Sequence, residues 1–286
     1  MFDGIDLKKV MAATVAAFIV TGCGGGGDSG GGGDSGGAAA VENPVDAATA
    51  GNIAGSIAFE GDPPSPQTID MDEEPVCADK HASTPMIEDV VVNEDGGLAN
   101  VFVYVKEGLE SLQFPTPRQP VTLDQNGCVY IPHVLGVMAG QDITIKNSDG
   151  LLHNINASPT ENRGFNMSQP VNMESMRSFR FAEVMVPVRC DVHGWMTAYI
   201  GVVGHPFYAV SGSDGSFDLS TLPPGDYVIE AWHERYGTQT QNVTVVTGET
   251  ATVTFTFSES MAGAVVPLGE AIDPHDHGSE AVRADQ

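Results

Sequence analysis

From residue 51 onward, apolar and polar positions alternate in runs of four to eight residues broken by Gly, Pro, Asn and Asp. That period predicts half-buried strands, and no segment of this stretch repeats its apolar residues at helical spacing. Residues 55–61 alternate and stop at Asp62-Pro63-Pro64. Residues 88–92 and 100–105 are further expected strands on either side of the turn cluster Asn93-Glu94-Asp95-Gly96-Gly97. Residues 121–123 and 128–131 flank Asp124-Gln125-Asn126-Gly127 and predict a hairpin, because Asn-Gly suits its tight turn. Residues 131–146 read as two strands about a Gly140-Gln141 turn, and residues 157–176 as irregular chain. Residues 178–181, 184–188 and 197–203 are strand-like again. After Gly204 the pattern tightens into a second small unit, with strands at 216–219, 227–232, 243–246 and 251–257 between the turns Asp214-Gly215 and Pro223-Pro224-Gly225-Asp226. The expected fold is all-β. About 54 residues are few for an independent sandwich, so residues 55–61 are expected to lend it a strand.

The ends differ from this body. Lys8 and Lys9 precede an apolar run over residues 10–20, too short to span a bilayer and right for the core of a signal peptide. Val20-Thr21-Gly22-Cys23 resembles the lipobox of bacterial lipoproteins, which implies lipid on Cys23 and attachment to a membrane. Gly24 after the Cys implies the outer membrane or cell surface. Residues 24–40 are almost all Gly, Ser, Asp and Ala, a composition that cannot fold. Extended to residue 50, this tether spans about 30 Å as a coil. The tail beyond residue 258 is expected to be disordered, and its His275-Asp276-His277 is too weak a pattern for a metal site.

The chain has 286 residues and a formal charge of −26, which excludes nucleic acid as a natural partner and favours a basic protein, unless the acidity serves only solubility. Candidate chemistry is concentrated in Cys190-Asp191-Val192-His193-Gly194-Trp195-Met196, which places a thiolate, an imidazole and a thioether within seven residues. With one more His these are the donors of a type 1 copper site, a trigonal Cys and two His with a weak axial Met. His153, followed by Asn154 after a strand-like 142–146, supplies the second imidazole. Val186, Val188 and Cys190 alternate, so the thiol is expected to face inward with the apolar side chains. Zinc is the rival metal, but one Cys and a Met suit it poorly.

These two segments resemble the cupredoxins, and the C-x2-H-x2-M spacing is similar to the short ligand loop of amicyanin, with Gly194 where Pro is usual. The whole resembles bacterial lipoproteins that join an amicyanin-like cupredoxin to a carboxypeptidase-regulatory-like β domain. The resemblance implies a Greek-key cupredoxin sandwich at 51–204 with an N-terminal β extension. A transthyretin-like second sandwich follows at 205–258, between a signal and tether at 1–22 and 23–50 and the tail at 259–286. It further implies one copper held by His153, Cys190, His193 and Met196, with Asn154 fastening the two ligand loops. His193 is then the more exposed imidazole and the electron exit, beside Trp195 in an apolar docking patch.

Of the four Cys, Cys77 and Cys128 remain after lipid and copper are assigned, which suggests a disulfide. A second metal site from Cys77, His81, Cys128 and His133 is the alternative. The expected function is an extracytoplasmic, lipid-anchored carrier of single electrons, serving a redox protein such as a c-type cytochrome or a dehydrogenase. No catalytic constellation and no haem-attachment motif is present in the sequence, so no enzyme is expected. Two other readings stay open. A copper chaperone or storage protein would use Met167, Met173 and Met176 for Cu(I), and a scaffold lipoprotein would bind polysaccharide or protein through the second unit. His205 and His233 are expected to be packing or interface residues.

Overall fold

The computed structural model describes residues 41–263. In chain order the elements are β1 (Gly51–Glu60), the one-turn helix α1 (Pro75–Ala78), β2 (Phe102–Glu107), β3 (Val121–Gln125), β4 (Tyr130–Ile131) and β5 (Val134–Met138). Then come β6 (Ile143–Asn147), β7 (His153–Ala157), β8 (Phe165–Gln169), β9 (Glu174–Arg177), β10 (Glu183–Arg189) and β11 (Thr197–Val203). The last are β12 (Tyr208–Val210), β13 (Ser216–Leu222), β14 (Gly225–His233), β15 (Gly237–Val245) and β16 (Thr250–Ser258), followed by a short 3-10 turn at Glu259–Met261. The described chain is nearly all β.

Four sheets make two sandwiches. The first pairs β5-β11-β10-β7-β8 with β4-β3-β6-β9, and its core includes Leu123, Tyr130, Val137, Ile143, Ile145, Ile155, Phe179, Val186, Val188 and Ile200. The second pairs β13-β1-β16 with β12-β2-β14-β15 over Ile53, Ile57, Val103, Phe217, Ile229, Phe255 and Phe257.

Strand pairing redraws the expected division at Gly204. β1 runs parallel to β16 from Asn52 opposite Thr250 to Glu60 opposite Ser258, and β2 pairs with β14. Both strands belong to the second sandwich, so the first, from β3 to β11, is an insertion within it. Physically, the strands after Gly204 cannot close two sheets alone. The inward residues Ile53, Ile57, Val103 and Val105 bury apolar surface that would otherwise face water.

Other boundaries move for local reasons. Residues 88–92 form only the bridge Val92–Leu98, because Asn93 folds the chain back by accepting the Asp95 and Gly97 N–H groups. Residues 178–181 are not a strand: Phe179 fills the core and its carbonyl accepts the Gly140 N–H. The stretch 157–176, expected to be irregular, instead carries β8 and the start of β9. At the ends, Val45 packs on the second core, and Glu259 receives Arg235 at 2.8 Å and the Tyr236 hydroxyl at 2.8 Å. Order therefore begins before Gly51 and outlasts Ser258. The signal, Cys23, most of the tether and most of the tail lie outside the described residues.

The sandwiches meet through Phe102, Val134 and Val203, with Tyr104, Tyr208 and Trp232 around them. Gly136 and Gly201 make that contact possible. A Cβ on Gly201 would stand 2.5 Å from the Phe102 ring, and one on Gly136 2.4 Å from the Tyr208 ring.

Candidate metal centre

The site forms where β7 begins and where β10 gives way to the loop before β11. β10 brings Val186, Val188 and Cys190 in on one face, so the thiol enters the sandwich with its apolar neighbours. The loop from Cys190 to Met196 closes on itself: Cys190 N–H donates to the Met196 carbonyl at 3.0 Å, and Met196 N–H to the His193 carbonyl at 2.9 Å. This folds His193 back over Cys190 and buries the Met196 side chain in the same core cluster. Space is open around Gly194, so the loop does not need glycine there for room.

His153 and His193 face each other with Nδ1 atoms 3.0 Å apart, and Cys190 Sγ lies 3.8 Å from His193 Nδ1. The three donor atoms all fall within 4.8 Å of one another and all three residues are buried. Two nitrogens bound at about 2.0 Å with an angle near 100° stand about 3.1 Å apart, and a sulfur and a nitrogen across the same ion about 3.7 Å. The donor set thus fits a small soft ion with little rearrangement.

Electrostatics act differently on the three donors. Burial pushes the Cys190 thiol up, but His153 and the N–H groups of His193, Asn154 and Val192 outweigh it and favour the thiolate. For His153 burial opposes charge, while Asp149 and Cys190 prevail and raise its pKa. His193 is lowered by burial and by His153, against smaller opposing pulls from Glu74 and Asp149.

Around the donors stands a second set of contacts. Asn154 Oδ1 accepts the Asp191 N–H at 3.1 Å, tying the His153 strand to the Cys190 loop, and the Tyr130 hydroxyl donates to the Asn154 carbonyl. Asp191 also accepts Asn166 at 2.7 Å and Asn156 at 3.1 Å.

Sequence reasoning missed Asp149. Its side chain is 1% exposed, and Oδ2 lies 2.8 Å from His153 Nε2, the nitrogen that points away from the donors. It also accepts the Gly127 and Cys128 N–H groups at 2.6 and 2.7 Å and lies 3.2 Å from Lys80 Nζ. Burial pushes this carboxyl up, but those four donors hold it far below the usual carboxylate range. A carboxylate on the outer nitrogen fixes the ring and the tautomer that leaves Nδ1 free for a metal. The i−4 spacing from His153 was visible, but an acid in a turn is too common to single out.

Cys77 and Cys128 are joined in a disulfide with an S–S distance of 2.04 Å. It clamps a strap, residues 67–88, over the site. The strap is closed at its base by Ile69 N–H to the Pro85 carbonyl and Ile87 N–H to the Gln67 carbonyl. It is held further by His81 Nε2 with the Gly127 carbonyl and by Lys80. Cys77 Sγ lies 3.8 Å from His193 Nε2. The alternative of a second metal site from Cys77, His81, Cys128 and His133 is not assembled, since both sulfurs are in the disulfide and His133 pairs with Glu234.

The strap corrects one expectation. His193 is 1% exposed and His153 0%, so neither ring edge reaches solvent. Trp195 is half-buried, its ring 5.3 Å from that of His193, and its Nε1–H donates to the Cys128 carbonyl rather than lying in an open patch. Of Met167, Met173 and Met176, the latter two are exposed. Arg177 places a guanidinium nitrogen 3.0 Å from the Met167 sulfur. His205 and His233 pack as expected: His205 Nε2 meets the Val105 carbonyl at 2.8 Å, and His233 stacks on Tyr236.

Residues 197–258 match the carboxypeptidase regulatory-like domain family. No curated protein matches the chain. Among solved structures, the chain is similar to the Cu(I) form of an amicyanin mutant, with 17% identity, coverage of 29% of this chain and 81% of that one, and a TM-score of 0.26. It is also similar to a purple cupredoxin from Nitrosopumilus maritimus, with 18% identity, coverage of 29% and 98%, and a TM-score of 0.25. A copper-containing nitrite reductase from Thermus scotoductus SA-01 shares 18% identity over 36% of this chain and 25% of its own, with a TM-score of 0.29. Both groups that the sequence resembles are represented among these matches.

Proposed function

We propose that the centre takes one type 1 copper and that the protein is a non-enzymatic carrier of single electrons. The observation that carries this is the convergence of His153 Nδ1, His193 Nδ1 and the Cys190 sulfur at one buried point. Copper bound there supplies one-electron exchange between Cu(I) and Cu(II), which a soft set of one thiolate and two imidazoles tolerates in both states. The protein's own part is rigidity. N–H donors hold the Cys190 thiolate, Asp149 holds His153, Asn154 and Asp191 lock the two ligand segments together, and Met196, buried in the same cluster, would supply the thioether. The strap excludes water, so little has to reorganise when charge changes.

The Arg177 contact on Met167 argues against the chaperone reading, because a cation already occupies that sulfur. The cellular setting belongs to the same proposal: a cell-envelope lipoprotein, anchored through Cys23 at the periplasmic face of the outer membrane or at the cell surface. There it serves a basic redox protein such as a c-type cytochrome or a dehydrogenase. The visible spectrum of the oxidised, copper-loaded protein tests the centre. An intense thiolate-to-Cu(II) band is expected that Cys190→Ser abolishes and Met196→Leu retains with a raised potential. A colourless Cu(II) protein refutes the reading.

A further inference from the structure

The nitrogen of His193 that faces away from the donors is met by protein rather than water. Cys77 Sγ lies 3.8 Å from it, and His193 is 1% exposed. A partner cannot touch the ring, yet the ring is one short gap from a covalent path, through the Cys77 side chain and backbone to Val76. Val76 is 58% exposed, an apolar side chain on the outer face of α1. Around it Asp72, Glu73 and Asp79 are exposed and Glu74 half-buried. The cation of this turn, Lys80, is turned inward onto Asp149 and its carbonyl. An exposed apolar point in an acidic rim, over a buried redox ligand, has the build of a transient docking surface.

The geometry points to the disulfide strap as the electron port: one electron leaves through His193 and Cys77 and crosses at Val76 to a redox protein with a cationic rim. This inference rests on the copper reading above and adds to it the place where the partner docks and the route the electron takes. No bond forms or breaks. The centre loses one electron, the partner's one-electron acceptor gains it, and the disulfide stays oxidised as the medium between them.

The test is stopped-flow oxidation of the full-length Cu(I) protein at low ionic strength by a cationic probe, tris(phenanthroline)cobalt(III), and an anionic one, ferricyanide. The strap variant is Glu73→Lys with Glu74→Lys and Asp79→Lys. The control, with the same change of net charge, is Glu107→Lys with Asp218→Lys and Glu249→Lys, all exposed on the second sandwich. The strap variant should slow the cationic probe about tenfold and speed the anionic one, with both effects shrinking as salt is added, while the control moves either rate less than about twofold. Equal effects from the two variants, or none from the strap, overturn the port while an intact thiolate band leaves the copper reading standing. Absence of that band in the wild type removes both.

Discussion

Asp149→Asn isolates the one buried charge that touches a candidate ligand from behind. The substitution keeps the shape and one acceptor oxygen but removes the negative charge 2.8 Å from His153 Nε2. Across the imidazole this charge stands about 6.5 Å from a metal on Nδ1, worth about 2.5 kcal/mol at an effective dielectric near 20, or about 110 mV for a one-electron couple. Lys80 Nζ, 3.2 Å from the same carboxylate, offsets part of that field. The expected change is therefore a rise of about 50–100 mV, because Cu(II) loses more than Cu(I) when a nearby anion is removed. Lys80→Met should move the potential the other way by a smaller amount. Protein-film voltammetry at pH 7 reads both. A second readout needs no metal: the apoprotein should lose about 2–4 kcal/mol in urea, since two backbone N–H groups are left competing for one oxygen. A potential that stays within about 20 mV of wild type, or falls, refutes the idea that Asp149 acts on the centre.

Three further outcomes follow from other contacts. His233 is held neutral, its pKa lowered to about 3 by burial and then by the charges of His133 and Arg235. Its contribution to stability is therefore full above the unfolded value near 6.5 and declines as pH falls; between pH 6.5 and 5 the wild type should lose up to about 1.4 kcal/mol per unit more than His233→Gln in denaturant titrations. Removing the disulfide as Cys77→Ala with Cys128→Ala should cost about 4 kcal/mol for a loop closed by residues 51 apart, read as a lower denaturant midpoint, and should open the strap to protease. Gly201→Val drives a branched side chain into the Phe102 ring and should cost about 1–3 kcal/mol or more in thermal unfolding, whereas Gly194→Val, in open space, should cost little.

The strands were legible wherever one face is buried and the other wet, because burial enforces the period of two: β11 and β16 fall at or within a residue of their expected ends. β15 was legible only at its end, since residues 238–242 are polar throughout and show no apolar stripe. The donors were legible for a different reason. Metal geometry demands particular atoms at short spacing, so Cys190, His193 and Met196 announce themselves within one loop. What the sequence hid is what depends on distant partners. A strand pattern at residues 51–60 says that an edge must be paired but not that the partner lies at 250–258. The strap at 67–88 has almost no periodicity of its own, and its place is fixed by one disulfide, one turn of helix and a lysine.

The insertion and the strap together explain how a donor set assembled from separate loops can be held still. The loop donors Cys190, His193 and Met196 are carried between β10 and β11, and β11 pairs in parallel with β5 from Tyr199 opposite Val134 to Val203 opposite Met138. Val134 and Val203 then pack against Phe102, a β2 residue of the enclosing sandwich. The far end of the ligand strand pair is anchored where Met138, opposite Val203, packs into the second core, while its near end is closed by Asn154, Asp149 and the disulfide. Loosening either end should widen the spread of donor geometries without removing a donor. That is the change a bound copper would report as a broader thiolate band and slower electron exchange, in Gly201→Val as well as in the disulfide-free protein, although Gly201 touches none of the four candidate ligands.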